Sequence, residues 1–189
     1  MVELKLEDVL VRVAADDSSK TVFDQRIVLL REDGAERILP IWIGGAEGNA
    51  LAYRLVGDSP PRPMTSDLML DLLHVTGARV ERVAITKLRE QTFYANVTIA
   101  VDGRTDELDA RPSDALNLAV RAGAPILAAE AVLDEASLTR EAVAARLEQQ
   151  ADESGIELAP GEWASLSVEL LRSLHSWPPK EMEAGSTGG

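Results

Sequence analysis

Apolar and polar positions alternate along most of the first two thirds of the chain. Leu4, Leu6, Val9, Val11 and Val13 predict a strand over residues 3–13. Asp16-Asp17-Ser18-Ser19 reads as a turn, and Val22 to Arg31 as a second strand whose end, Ile27-Val28-Leu29-Leu30, is apolar on both faces. Asp33-Gly34 marks a hairpin, with a return strand from Arg37 to Ile43. Gly44-Gly45 closes it. Ala46 to Val56 then predicts a helix with Ala50, Leu51, Leu55 and Val56 inward, and Asp67 to Val75 a second, with Leu68, Leu72 and Val75 on one stripe and Gly77 as terminator. Val80 to Leu88 predicts a strand. Thr92 to Val101 shows the clearest alternation, Asp102-Gly103 turns the chain, and Arg104 to Ala110 returns. A helix follows from Ser113 to Ala122, ended by Gly123, then a short buried strand at Pro125-Ile126-Leu127 and a helical turn from Ala128 to Leu133.

This order predicts an α+β fold with a mixed, largely antiparallel sheet and C-terminal helices. Residues 1–134 read as one domain, residues 135–177 as an acidic helical extension, and residues 178–189, ending Gly-Ser-Thr-Gly-Gly, as a disordered tail. In the extension, Thr139 to Gln150 predicts a helix capped by Thr139, with Val143 and Leu147 spaced i,i+4. Trp163, Leu166, Leu170, Leu174 and Trp177 predict a further helical stripe, read as docking onto the domain, with partner binding or self-association as the alternative.

Composition narrows the function classes. The net charge is −13 and there is no basic cluster, which disfavours tight nonspecific binding to duplex DNA. A small anion or a short single strand held by a local arginine pocket is compatible with it. The chain has no cysteine, hence no disulfide framework and no thiolate metal site. Its first residues lack a signal-peptide core and no apolar run approaches a membrane span, so the expected compartment is the cytoplasm, with no membrane partner.

Two similar phrases carry the candidate chemistry. Arg62-Pro63-Met64-Thr65-Ser66-Asp67 and Arg111-Pro112-Ser113-Asp114 each run from Arg-Pro through a hydroxyl residue to Asp at the start of a predicted helix. Proline holds the preceding arginine in extended chain, and Ser or Thr followed by Asp suits a helix cap. Each guanidinium would then stand beside a helix N-terminus, whose free N–H groups and partial positive charge suit a phosphate. Both phrases are expected to face one pocket. Ordinary helix capping is the competing account of each. His74 and His175 have no nucleophile partner nearby in sequence, and two histidines without cysteine disfavour zinc. Gly44-Gly45-Ala46-Glu47-Gly48 lacks the features of a nucleotide-binding loop.

Several words in unbroken order resemble the bifunctional nuclease domain family. They are Leu39-Pro40-Ile41-Trp42-Ile43-Gly44, Glu47, the Arg62 phrase, Thr92-Phe93-Tyr94-Ala95, Asp109-Ala110 with the Arg111 phrase, and Ala124-Pro125-Ile126. The resemblance covers about residues 3–134. It implies repeated strand-helix-strand units, cleavage of RNA and DNA, and a homo-oligomer, expected as a dimer. One departure stands out: the family phrase usually has His between Thr and Asp, and here that place is Ser66. Histidine suits proton transfer near neutral pH, whereas Ser is a fair substitute only for a capping role.

Within these words Glu47, Asp67, Asp109 and Asp114 are the carboxylates. Glu47, Asp67 and Asp114 are the candidate catalytic residues, with Asp67 and Asp114 as ligands to Mg²⁺ or Mn²⁺, which can activate water without histidine. Arg62, Thr65, Arg111 and Ser113 are the candidate phosphate-binding residues, and Asp109–Arg111 is equally an ordinary ion pair. Two readings follow: a nuclease acting on single-stranded or flexible nucleic acid, and a non-catalytic regulatory or assembly protein that binds a phosphorylated ligand or a protein partner.

Overall fold

The computed structural model describes residues 1–13, 25–153 and 162–165. The strands are β1 (Val2–Val13), β2 (Gln25–Glu32), β3 (Ile38–Gly44), β4 (Arg79–Arg89), β5 (Thr92–Val101), β6 (Arg104–Ala110), β7 (Ile126–Ala128) and β8 (Glu162–Ser165). The helices are α1 (Gly45–Leu55), α2 (Thr65–Val75), α3 (Pro112–Ala122), α4 (Glu130–Ala136) and α5 (Arg140–Glu153). They build an α+β fold around one mixed, mostly antiparallel sheet, in the order β3-β2-β1-β7-β4-β5-β6, with β8 added to β1. No helix among the described residues is long and apolar enough to cross a membrane.

The order is close to mirror-symmetric. Three antiparallel strands, β1 to β3, lead into α1, and three more, β4 to β6, lead into α3. The short strand β7 joins the halves, antiparallel to β1 and parallel to β4. Each meander places its helix after the outermost strand, so α1 and α3 both turn back over the sheet and meet above it. The main core lies under them, with Val28, Leu30, Leu39, Ile41 and Leu51 from the first half and Val83, Ile85, Ala95, Val97 and Leu116 from the second.

The first half is buried on its other face too. Ile27, Leu29 and Ile38 form a second core with Val143 and Leu147 of α5, joined by Leu10, Trp42 and Trp163. Burial on both faces explains why β2 and β3 read as near-continuous apolar runs rather than clean alternations. Thr139 begins α5 as its spacing predicts: its Oγ1 accepts from the Ala142 N–H at 3.3 Å.

One predicted element is different. Residues Glu162–Ser165 form a strand, not the start of a helical stripe. β7 pairs only with Val2–Leu4 of β1, and β8 takes the open edge further along, at Leu10–Val13. The Trp163 indole N–H donates to the Leu147 carbonyl at 3.3 Å, and the Ser165 hydroxyl to Asp8 at 2.8 Å, which holds the strand there. The expected turn at Asp16–Ser19, the remaining stripe from Leu166 to Trp177 and the tail 178–189 lie outside the described residues.

The β4–β5 hairpin turns on Glu90 and Gln91, with φ of 46° and 61°. Two-residue hairpin turns need this left-handed backbone to match strand twist, and L side chains resist it. Replacing the pair by Asn-Gly (Glu90→Asn with Gln91→Gly) should stabilise the fold by about 1 kcal/mol, or ~3 °C in Tm by calorimetry. An unchanged or lower Tm would show that the turn carries no such strain.

Candidate functional site

The three candidate catalytic carboxylates share one local position. Gly44, Met64 and Arg111 are the residues that open α1, α2 and α3, and Glu47, Asp67 and Asp114 each lie three residues further on, in the first turn. An acid there complements the helix dipole and can reach back toward free N–H groups. Asp67 does so, accepting from the Met64 N–H at 2.8 Å. Glu47 folds back over its helix start: a Cβ at Gly44 would come 2.5 Å from its Oε2, so the glycine leaves room for the carboxylate. The hydroxyl residues are not the caps that the phrases predict. Thr65 and Pro112 are already helical, which puts Ser113 second in α3, and neither α2 nor α3 opens on a side-chain hydroxyl. Proline fits the first helical position because its missing N–H would have had no partner there.

Counting from the acids explains why the two Arg-Pro phrases behave differently. Arg111 itself opens α3, close enough to grip its own Asp114 with both ends of the guanidinium, Nε to Oδ2 at 2.8 Å and Nη2 to Oδ1 at 3.0 Å. The same Nη2 donates to Glu47 Oε1 at 3.0 Å. Arg62 lies two residues ahead of the residue that opens α2, and it stays exposed, with no ion pair among the described residues. Thr65 is exposed as well.

The structure therefore brings Glu47, Arg111 and Asp114 together, where the starts of α1 and α3 meet. The Arg111 side chain is 67% exposed, and its Nη1 has no partner among the described residues. Its hydrogen bonds to Asp114 and the charges of Asp114 and Glu47 hold the guanidinium still more firmly protonated than usual, against the opposing effect of burial. Ser113 is buried beneath this cluster, and its carbonyl accepts from the Asn117 side chain at 3.0 Å. Asp109 lies on the exposed edge strand β6.

Asp67 belongs to a second, interior network. Its Oδ1 receives the Arg121 Nε at 2.7 Å, and the Arg121 side chain is 1% exposed. Arg121 Nη1 donates to Asn117 Oδ1 at 2.8 Å and Nη2 to the Ala50 carbonyl at 3.3 Å. Asn117 Nδ2 in turn donates to the Glu47 carbonyl at 3.0 Å. One buried guanidinium thus ties α1, α2 and α3 together. Burial pushes the Asp67 carboxyl up, but the Met64 N–H and Arg121 outweigh it and hold it below the usual carboxylate range. Sequence reading passed over Asn117 and Arg121. Their signal is a polar pair spaced i,i+4 inside the otherwise apolar stretch Ala115–Ala122.

The fit to a divalent cation follows from these contacts. Both oxygens of Asp67 are engaged, and Asp67 and Asp114 stand in separate networks. The described residues hold no group of three or more His, Cys, Asp or Glu arranged for a metal. The carboxylates that share one locus are Glu47 and Asp114.

Removing one partner of a buried pair leaves the other charge uncompensated. Asp67→Asn strands the Arg121 guanidinium, 1% exposed, and should therefore cost about 3 kcal/mol in urea unfolding, whereas Arg121→Met leaves a carboxylate that is 29% exposed and should cost ~1–2 kcal/mol. Because the Asp67 carboxyl is held low in the folded protein, its contribution is fully present above its unfolded pKa of about 3.9 and is lost as pH falls through the folded value. The wild-type advantage over Asp67→Asn should be constant near neutrality and shrink below about pH 4. An advantage unchanged at acid pH would contradict the ion-pair account.

Comparison with known proteins agrees with the family words. The family model for the bifunctional nuclease domain matches residues 28–141, a span that contains Glu47, Asp67, Arg111, Asp114 and Arg121. The chain is 44% identical over 115 residues to an uncharacterized protein of Mycobacterium tuberculosis (strain H37Rv), covering 61% of this chain and 68% of that protein. It is 33% identical over 103 residues to bifunctional nuclease 1 of Oryza sativa subsp. japonica, covering 53% of this chain and 31% of the rice protein. Bifunctional nuclease 1 of Arabidopsis thaliana is 31% identical over 103 residues, with 53% and 32% covered. The chain thus spans about a third of the length of these plant relatives. With more than half of its length matched, the chain belongs to the bifunctional nuclease domain family.

Proposed function

We propose that the chain hydrolyses phosphodiester bonds in RNA and/or DNA at the paired starts of α1 and α3. The observation that carries this reading is Arg111, an exposed guanidinium whose Nη1 has no partner among the described residues, bracketed by Glu47 and Asp114 where two helix N-termini converge. Such a locus attracts a phosphate through the partial charges of both helices and through the planar guanidinium. A phosphate that takes up the Arg111 donors frees Glu47 and Asp114. One of them can then orient the attacking water and accept its proton, without the histidine replaced by Ser66. Family membership and the names of the plant relatives support nuclease chemistry.

Mg²⁺ or Mn²⁺ suits the pair Glu47 and Asp114, since such ions take one or two carboxylates together with phosphate oxygens. When bound it would supply charge neutralisation and a more acidic water. Net charge −13 disfavours a long rigid duplex and supports a single-stranded or flexible substrate. The cysteine-free composition supports a cytoplasmic location, and the family resemblance supports a homo-oligomer.

A second reading has one observation of its own: Glu47, Asp67 and Asp114 are all already paired with arginine. In that case the same arginine site holds a phosphorylated ligand or partner without cleaving it.

Cleavage of single-stranded RNA and DNA, followed with Mg²⁺, Mn²⁺ or EDTA, separates the two. The expected result is metal-dependent cleavage, reduced about 10²-fold or more by Glu47→Gln with Asp114→Asn, and by Arg111→Ala. Asp67→Asn should lose stability rather than turnover per folded molecule. Cleavage that survives the double variant would refute this site, and no cleavage under any condition would leave the binding reading in its place.

A further inference from the structure

We propose that Asn117 is a positioning residue that sets Glu47 and Asp114 at a fixed separation on either side of Arg111. This deepens the phosphodiester-cleaving reading of that locus, and the kinetic half of its test rests on that reading.

Position 117 is polar with no local reason to be. It lies in the middle of α3, and its neighbours Ala115, Leu116, Leu118 and Ala119 are all buried apolar residues. Asparagine is a poor helix former, and an apolar side chain would suit the stretch. Asn117 is 1% exposed, and burying an amide is costly unless its hydrogen bonds are made. They are made: Nδ2 donates to the Glu47 carbonyl and to the Ser113 carbonyl, each at 3.0 Å, and Oδ1 accepts from Arg121 Nη1 at 2.8 Å.

The partners leave the amide one orientation. Carbonyl oxygens only accept and a guanidinium only donates. Arg121 therefore draws Oδ1 toward itself and turns both N–H groups toward the helix starts. The carbonyls they meet belong to the chain on which the acids stand. That of Ser113 is in the peptide leading into Asp114, and that of Glu47 is its own. Both lie inside helices, where the main-chain N–H four residues on is their ordinary partner. The amide is thus not needed to satisfy them. What it adds is a link: one planar nitrogen must reach both carbonyls, which sets the first turn of α1 against that of α3.

That link outlasts the arrival of substrate. Arg111 bridges Glu47 and Asp114 from the outside, where a phosphate competes for its donors. Asn117 bridges them from beneath and is out of a phosphate's reach. When Arg111 turns to the phosphate, the buried amide still holds the two acids in place. Gly44 completes the seat, since a Cβ there would come 2.5 Å from Glu47 Oε2. A misplacement of about 1 Å at reacting groups can cost ~10²-fold in rate.

The test compares cleavage of single-stranded RNA by the full chain and three variants. Asn117→Leu removes the link. Asn117→Asp keeps an acceptor for Arg121 and loses both donors. Gly44→Ala suits the extended backbone at φ −69° and displaces only the flexible end of Glu47. Each should be folded by circular dichroism and lose about 10- to 100-fold in kcat per folded molecule. KM should stay within about 3-fold, because Arg111 keeps its own Asp114. In a Glu47→Gln background Asn117→Leu should add little, since it acts through Glu47. An unchanged kcat, or an equal further loss in that background, would overturn the proposal. A crystal structure of an Asn117 variant gives a readout apart from activity. The contact of Glu47 Oε1 with Arg111 Nη2, 3.0 Å in the wild type, should open beyond hydrogen-bond range. A contact that persists would overturn the positioning role even in a chain that cleaves. A wild type without cleavage would remove the nuclease reading, and the crystal structure would then decide the positioning role alone.

Discussion

The buried guanidinium of Arg121 is the contact on which the helical layer depends. α1 and α3 have apolar faces set into the main core, but α2 buries no residue completely and covers the core only with half-buried Leu70 and Leu73. Its position is therefore decided by polar contacts. Taking an arginine out of water is costly, and the cost is offset only when its donors are met with good geometry. Here they are met by a carboxylate, a side-chain amide and a main-chain carbonyl from three different helices. An apolar residue at this place could fill the volume. It could not specify which carboxylate, and so which turn of α2, faces α3.

The same arrangement separates the three helix-start acids into two kinds. Locally they are equivalent, each in the first turn of its helix. What differs is where the cation comes from. Asp67 meets a guanidinium rooted in the interior, and breaking a buried pair costs about 3–5 kcal/mol. Asp114 and Glu47 meet Arg111, a solvated residue, and exposed pairs of that kind contribute about 0–1 kcal/mol. A phosphate can compete with the second pairing and not with the first. This difference in magnitude separates the exposed pairings of Arg111 with Glu47 and Asp114 from the interior pairing of Asp67 with Arg121, although all three acids sit within similar words of sequence.

Most strands and helices were legible because their signals are local. Alternation from Thr92 to Val101, the Asp-Gly turns and Gly123, which ends α3 at φ 65°, each act within a few residues. The strand at Glu162–Ser165 was not legible. Trp163 and Leu166 fall at a helical spacing, but the open edge of β1 that receives the strand is some 150 residues away. Chain-local periodicity carries no information about such a vacancy. The candidate site was half legible. Arg111 and Asp114 were visible as a phrase, and Glu47 as a word beside it. Arg121 was not, since an arginine on a helix ordinarily reads as solvent-facing, and its burial depends on Asp67, 54 positions earlier. The shared wording of the two Arg-Pro phrases misled for a simple reason: Arg62 is two residues further from its acid than Arg111 is from Asp114.

The two ends of α3 therefore serve different purposes. Arg111 opens α3, whereas Arg121 lies in its last turn, roughly 15 Å further along the axis. α2 is fastened at the Arg121 end and turns its apolar stripe away from the core. α1, α2 and α3 share one buried guanidinium, whose Asn117 partner also holds the Glu47 carbonyl. The placement of α2 and that of Glu47 are thus connected through a short chain of named hydrogen bonds, Asp67 to Arg121 to Asn117 to Glu47.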